Sequence, residues 1–219
     1  NEPIADAGVD LEAMVPHDGV PGVGEACVVL DPSGSSDADD VDILTYQWLP
    51  ANDRSEQLVC LGQGVYVYDL TVTDPYGATD TDNVQITIHP EENNAPTVTT
   101  FFCNDTQAEH GGDPNTDTGD VTCFGDADDQ DPFDHELLSY EISQTPGDVV
   151  QIIDLENDAL DGHDYGFTFN AVAGEYIFVL IAQDPYGLNS TAVTSATITT
   201  ATNDAPNADA GYDETYQLS

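Results

Sequence analysis

One order of short words is written twice along this chain, and that repetition limits the fold more than any other feature. In each copy a cysteine-bearing run, "EACVVL" or "DVTCF", leads to the tetrapeptide DADD, at residues 37–40 and again at 126–129. An apolar run with an aromatic follows, "ILTYQW" or "LLSYEI". Then come "GVYVYDLTVTDPYG" or "GEYIFVLIAQDPYG", and a closing run, "DNVQITI" or "AVTSATI". The opening words recur too. Pro3, Ala5, Asp6, Gly8 and Asp10 align with Pro206, Ala208, Asp209, Gly211 and Asp213, an offset of 203 residues, and a shorter opener, "NNAPTV", stands at Asn93. Two full units therefore lie between the first opener and the last, and 219 residues suit two domains of about 100 each.

The runs alternate with period two, are rich in Val, Ile, Thr and Tyr, and are punctuated by Gly, Pro, Asn and Asp, so they read as strands. No stretch keeps a helical period for more than a turn or two. About seven short strands per unit predicts an all-β chain of tandem antiparallel two-sheet β-sandwiches. The expected domains are 1–92, 93–203 with an insertion in its A–B loop, and 204–219 as the opening strand of a further repeat or a donated strand.

Charge narrows the partners. The chain carries 43 acidic residues against one Arg and no Lys, for a formal charge of −42, and 31 of the acids are Asp. A chain with no basic patch cannot neutralise phosphates, which excludes nucleic acid, and anionic membrane surfaces are equally unattractive. Hydrophobic residues at 39% suffice for a core, so the acidity does not mean disorder. The natural partner is a cation, and the excess of Asp points to loop ligands for calcium, a hard ion that takes oxygen. A halophilic surface kept soluble by acids is the competing reading. The chain opens at Asn1 with no signal-type or membrane-spanning run, which reads as a mature protein or a piece of a longer one.

Cys27, Cys60, Cys103 and Cys123 form no CxxC pair and match no zinc spacing, so they read as two disulfides of an oxidising compartment. Three connectivities are open. Cys27–Cys60 with Cys103–Cys123 is favoured, because each bridge then stays within one repeat.

Residues 3–89 resemble a PKD-type (polycystic kidney disease) immunoglobulin-like domain through "PIADAGVD", "VVLDPSGSSDADDVDILTYQW" and "GVYVYDLTVTDPYGATDTD". The second unit, with "NNAP" and "DADDQD…LLSYEI", resembles a bacterial cadherin-like repeat as much as a PKD domain, and lacks the "LDPSGSS" stretch. Within such a fold Trp48 is the core aromatic of strand C, and Tyr66 and Tyr176 take the tyrosine-corner place early in strand F.

In a seven-stranded antiparallel sandwich, the B–C and F–G turns return to the pole where the chain enters. This gathers Asn1, Glu2, Asp37, Asp39, Asp40, Asp42 and Asp74 in the first unit. In the second it gathers Asn93, Asn94, Asp126, Asp128, Asp129, Asp131 and Asp184. Oxygen donors from three segments can complete the roughly six to eight ligands calcium prefers, and the resemblance implies calcium held by such residues. The alternative is that DADD is a hydrophilic turn whose Asp side chains cap backbone amides. "DPNTDTGD" offers a further candidate in Asp113, Asn115, Asp117 and Asp120, although Gly119 falls one place late for an EF-hand loop.

Catalytic signals are poor. The five His (His17, His89, His110, His135, His163) form no HExxH, there is no G-x-S-x-G elbow, and nothing marks a carboxylate pair for glycoside hydrolysis. Asn104 and Asn189 head glycosylation sequons. The leading expectation is a non-enzymatic, extracellular structural segment: a calcium-stiffened fibre, appendage or adhesin stalk. Its partners would be calcium and either neighbouring repeats or copies of itself joined by strand donation. An accessory carbohydrate- or protein-binding module is the second expectation, and a halophile's surface-layer domain the third. A chain with Arg54 alone also offers trypsin-like proteases a single site.

Overall fold

The computed structural model describes residues 1–39, 42–50, 56–113, 115–145, 149–155, 160, 162–203 and 206. Asp40, Arg54 and nearly all of 204–219 lie outside the described residues, so the expectations placed on them have no structural account. By its contacts the chain forms two compact units. The first comprises Asn1–Pro96 with Asp128–Ser139 and Gln183–Asn189, and the second Thr97–Ala127, Tyr140–Ala182 and Ser190–Ser219.

Six strands build the sheets of the first unit: β1 (Leu11–Met14), β2 (Ala26–Leu30), β3 (Thr45–Leu49), β4 (Gln57–Leu61), β5 (Gly64–Thr73) and β6 (Thr79–His89). One sheet runs β1-β6-β5-β3, with β1 parallel to β6, and the other pairs β2 with β4. Alternation along β5 and β6 turns Tyr68, Leu70, Val72, Val84, Ile86 and Ile88 inward, where they meet Trp48 and Leu30 between the layers. The remaining strands are β7 (Thr97–Cys103), β8 (Thr106–Gln107), β9 (Thr118–Asp128), β10 (Ser139–Gln144), β11 (Ile153–Asp154), β12 (Tyr165–Val172), β13 (Gly174–Gln183) and β14 (Asn189–Thr199). They form sheets ordered β10-β13-β14-β8 and β11-β12-β9-β7 around Phe167, Phe169, Phe178 and Ile198. No α-helix occurs among the described residues; a 3₁₀ turn covers Asp134–Leu137. The all-β sandwich architecture expected from the sequence is present.

Both tyrosine corners form. The Tyr66 hydroxyl donates to the Gly62 carbonyl at 3.1 Å and the Tyr176 hydroxyl to the Val172 carbonyl at 2.9 Å, each four residues upstream. Both favoured disulfides are bridged. Cys27–Cys60 joins partners in register on β2 and β4, and Cys103–Cys123 ties β7 to β9. The latter closes the long A–B insertion. Gly125 on β9 is there for lack of space: a Cβ would lie 2.4 Å from Leu180 Cδ2, and Leu180 is fully buried.

Candidate metal centres

Two short local devices place the acids. The first is the DPYG turn between the last two long strands of each sandwich. Asp74 accepts the Tyr76 and Ala78 amides on Oδ1, both at 2.8 Å, while Gly77 at φ 90° closes the turn. Asp184 repeats the device: its Oδ1 accepts the Leu188 amide at 2.9 Å, and Gly187 stands at φ 92°. A positive φ at that position favours Gly, which explains the word. Each Asp thus fixes its turn with one oxygen and keeps the other for something else.

The second device is D-x-D-x-x-D, written as Asp37, Asp39 and Asp42 and again as Asp129, Asp131 and Asp134. In each copy the first Asp folds the loop with an Asx turn: Asp37 Oδ1 accepts the Asp39 amide at 2.8 Å, and Asp129 Oδ1 accepts the Asp131 amide at 2.9 Å. The middle Asp anchors the entering chain. Asn1 Nδ2 donates to Asp39 Oδ1 at 3.2 Å, and Asn94 Nδ2 donates to Asp131 Oδ1 at 3.0 Å. The third Asp then turns inward.

Among the described residues two carboxylate clusters result. Asp37, Asp42 and Asp74 each bring an oxygen within 4.8 Å of the others, and so do Asp129, Asp134 and Asp184. In the second cluster all three residues are buried, at 8%, 0% and 4% exposure. Asp37 Oδ2, Asp42 Oδ2, Asp129 Oδ2 and both oxygens of Asp134 are buried without a hydrogen-bond partner. Asn93 donates to Asp184 Oδ2 at 2.9 Å and leaves its own Oδ1 buried and unpaired. Burial pushes the Asp42 carboxyl above the usual range, with added repulsion from Asp37, Asp39 and Asp74. Burial does the same to Asp129, reinforced by Asp131, Asp134 and Asp184. Asp131 moves the other way: despite burial, its hydrogen bonds from Asn94 hold it low. Orphaned buried oxygens facing one another at such distances suit a divalent cation bound through oxygen.

The two DADD tetrapeptides do not occupy equivalent places. The first starts its D-x-D-x-x-D motif and the second ends on it, a shift of three residues. Asp126 and Asp128 consequently stand apart from the second cluster. Asp126, on β9, lies 3.0 Å from His163 Nδ1 and accepts the Thr100 hydroxyl. Asp128 is exposed, with His135 Nδ1 at 3.5 Å. Asp134 was not among the sequence candidates, which stopped at Asp131; aligning the D-x-D-x-x-D words pairs it with Asp42 and would have found it. The "DPNTDTGD" loop folds on itself. Asp113 Oδ1 accepts the amide and Nδ2 of Asn115, Asp117 Oδ1 accepts the Gly111 amide, and Asp120 accepts from Asn170. No group of three acids gathers there among the described residues.

The segment holding β2 to β6 matches a family model, that of the K319L-like PKD domain, over residues 23–88. These residues are similar to a PKD domain. Around it, the chain is similar to the dyslexia-associated protein KIAA0319 homolog of Mus musculus, 27% identical over 198 residues, which is 83% of this chain and 16% of that protein. It is also similar to low-density lipoprotein receptor-related protein 11 of Mus musculus, 35% identical over 100 residues, 40% of this chain and 19% of that one. The chain thus spans less than a fifth of the length of these curated relatives. Among solved structures, human protocadherin-24 EC1-2 is 17% identical, with 93% of this chain and 99% of that one covered at a TM-score of 0.34. The described strands form all-β sandwiches, and the PKD match lies within the first of them. Among the described residues no helix is long and apolar enough to cross a membrane.

Proposed function

We propose that this chain is a non-enzymatic, extracellular structural segment whose PKD domain and companion sandwich are stabilised by calcium. The first ion sits among Asp37, Asp42 and Asp74, and a second cation among Asp129, Asp134 and Asp184. The observation that carries this reading is the set of buried carboxylate oxygens without partners in a chain that has one Arg and no Lys to neutralise them. A purely solubilising acidity would leave its carboxylates in water; these are withdrawn from it. Segments distant in sequence supply each cluster, so an ion there ties the D-x-D-x-x-D loop to the DPYG turn, while the middle Asp of that loop holds the entering chain. That is useful in an adhesion stalk or fibre, whether its neighbours are further repeats of one chain or copies of it. The two disulfides fit an oxidising, extracellular setting.

Thermal melting with and without calcium tests the reading. Binding to the folded state alone adds RT ln(1 + [L]/Kd), about 2.7 kcal/mol at a hundredfold excess over Kd. Calcium is expected to raise the melting temperature and a chelator to reverse it. Asp74→Asn and Asp184→Asn should each remove part of the rise. A wild-type melt indifferent to both calcium and chelator would sink the proposal.

A further inference from the structure

We infer that His17 makes the second cluster a mixed nitrogen–oxygen centre for a first-row transition divalent cation of the zinc type, where the first cluster is an all-oxygen site. The inference rests on the reading that Asp129, Asp134 and Asp184 hold a cation, and adds which cation that is.

His17 belongs to the segment after β1, and its side chain is only 9% exposed. Its Nδ1 lies 3.0 Å from the carbonyl oxygen of Glu92. A carbonyl only accepts, so the ring proton on that side is committed to it. The other nitrogen, Nε2, is buried and has no hydrogen-bond partner, yet it stands 3.1 Å from Asp134 Oδ1. Asp134 is fully buried, and neither of its oxygens has a hydrogen-bond partner; Asp129 Oδ2 is in the same state. Four buried donor atoms, one imidazole nitrogen and three carboxylate oxygens, are thus left without hydrogen bonds, and Asp134 links them: it stands 3.1 Å from His17 and shares a 4.8 Å group with Asp129 and Asp184.

A ligating histidine has this arrangement: one ring nitrogen is spent on a backbone carbonyl, which fixes the ring, and the other is left for the metal. The ring is held further by Tyr186, whose centroid lies 5.0 Å away. A separation of 3.1 Å between Nε2 and Asp134 Oδ1 matches two neighbouring ligands on an ion about 2.0–2.1 Å from each. The three carboxylates span up to 4.8 Å among themselves and draw in around an ion of that size. Calcium takes oxygen and gains little from imidazole, whereas zinc and its neighbours favour it. Among the described residues no histidine stands within ion-pair distance of Asp37, Asp42 or Asp74, whereas His17 does so at Asp134. One motif, D-x-D-x-x-D plus the DPYG aspartate, therefore serves two kinds of cation according to whether a histidine reaches it.

The full chain, stripped with a chelator, is titrated calorimetrically with Zn²⁺ and with Ca²⁺, and the histidine ring nitrogens are followed by ¹⁵N NMR. Zinc is expected to move the His17 Nε2 resonance strongly. In His17→Gln, zinc affinity at this site should fall by about tenfold or more, while calcium affinity stays within about twofold. Zinc binding with the His17 resonance unmoved in the wild type, or zinc affinity unchanged in His17→Gln, overturns the inference and leaves the cation reading standing. Asp184→Asn and Asp134→Asn both binding each ion as the wild type does overturns the two together. The NMR measurement needs no variant, so a His17→Gln protein that fails to fold does not protect the idea.

Discussion

What reaches a carboxylate decides which way its charge acts on this fold. Asp126 is served by donors. The Thr100 hydroxyl and the Asp164 amide bond to it, and His163 Nδ1 stands 3.0 Å from both oxygens. Burial opposes its ionisation, but these partners hold its carboxyl below the ordinary 3.8. A lowered carboxyl contributes stability that is present above its unfolded value and is lost as pH falls through the folded one. Asp129, pushed up by burial and by Asp131, Asp134 and Asp184, has the opposite sign: without a cation its ionisation costs stability as pH rises above 3.8. Asp126→Asn is therefore expected to destabilise the protein by about 1–2 kcal/mol at neutral pH, because the amide cannot accept on both atoms. The loss should shrink below pH 3.8, where the wild-type carboxylate itself protonates. Urea unfolding at pH 7 and at pH 3 measures both; equal losses at the two would reduce the role of Asp126 to packing. The sequence alone showed that Asp126 was acidic and near a turn, but not that the strand aims it at His163 rather than at Asp129.

At the level of strands, the two disulfides look alike in sequence and differ in setting. Cys27 and Cys60 are exposed, on the outward face of a sheet of only two strands, beside the paired and exposed Val29 and Leu58. Cys123 is fully buried within a four-stranded sheet. Thiolate attack needs access to a sulfur, so exposure sets the order of reduction. Graded dithiothreitol followed by alkylation and mass spectrometry should label Cys27 and Cys60 well before Cys103 and Cys123; simultaneous labelling would contradict this. Replacing both Cys27 and Cys60 by Ser should cost about 3–4 kcal/mol from the loop of 33 residues they close. The strands themselves were legible because period-two alternation and the Gly-x-Tyr and DPYG words carry their own local physics, and the pairing of cysteines followed from the repeat. The register between the two acidic loops was not legible from the louder word. DADD repeats by composition, while the geometry follows Asx turns at Asp37 and Asp129, which lie at different places within it.

For the whole molecule, a formal charge of −42 on 219 residues means that every proton or cation bound relieves repulsion, whether or not it has a site. Two effects of added salt must therefore be separated. Monovalent salt screens exposed charges over a Debye length of about 10 Å at 0.1 M and about 3 Å at 1 M, so it should raise the melting temperature of the chelated protein gradually. A buried contact between a cation and the oxygens of Asp74 or Asp184 is screened far less. Millimolar calcium is thus expected to add a further, saturable rise even in about 1 M sodium chloride, where diffuse attraction is spent. Asp74→Asn combined with Asp184→Asn should keep the sodium chloride response and lose the calcium one. Differential scanning calorimetry over a calcium series at low and high sodium chloride reads both. If the double variant still responds to calcium at high salt, the ions are held by the general acidity of the surface, and the two clusters are loops that happen to be crowded. If its response vanishes while screening persists, the stiffness of the molecule depends on a few withdrawn carboxylates, and the remaining acids serve to keep it soluble.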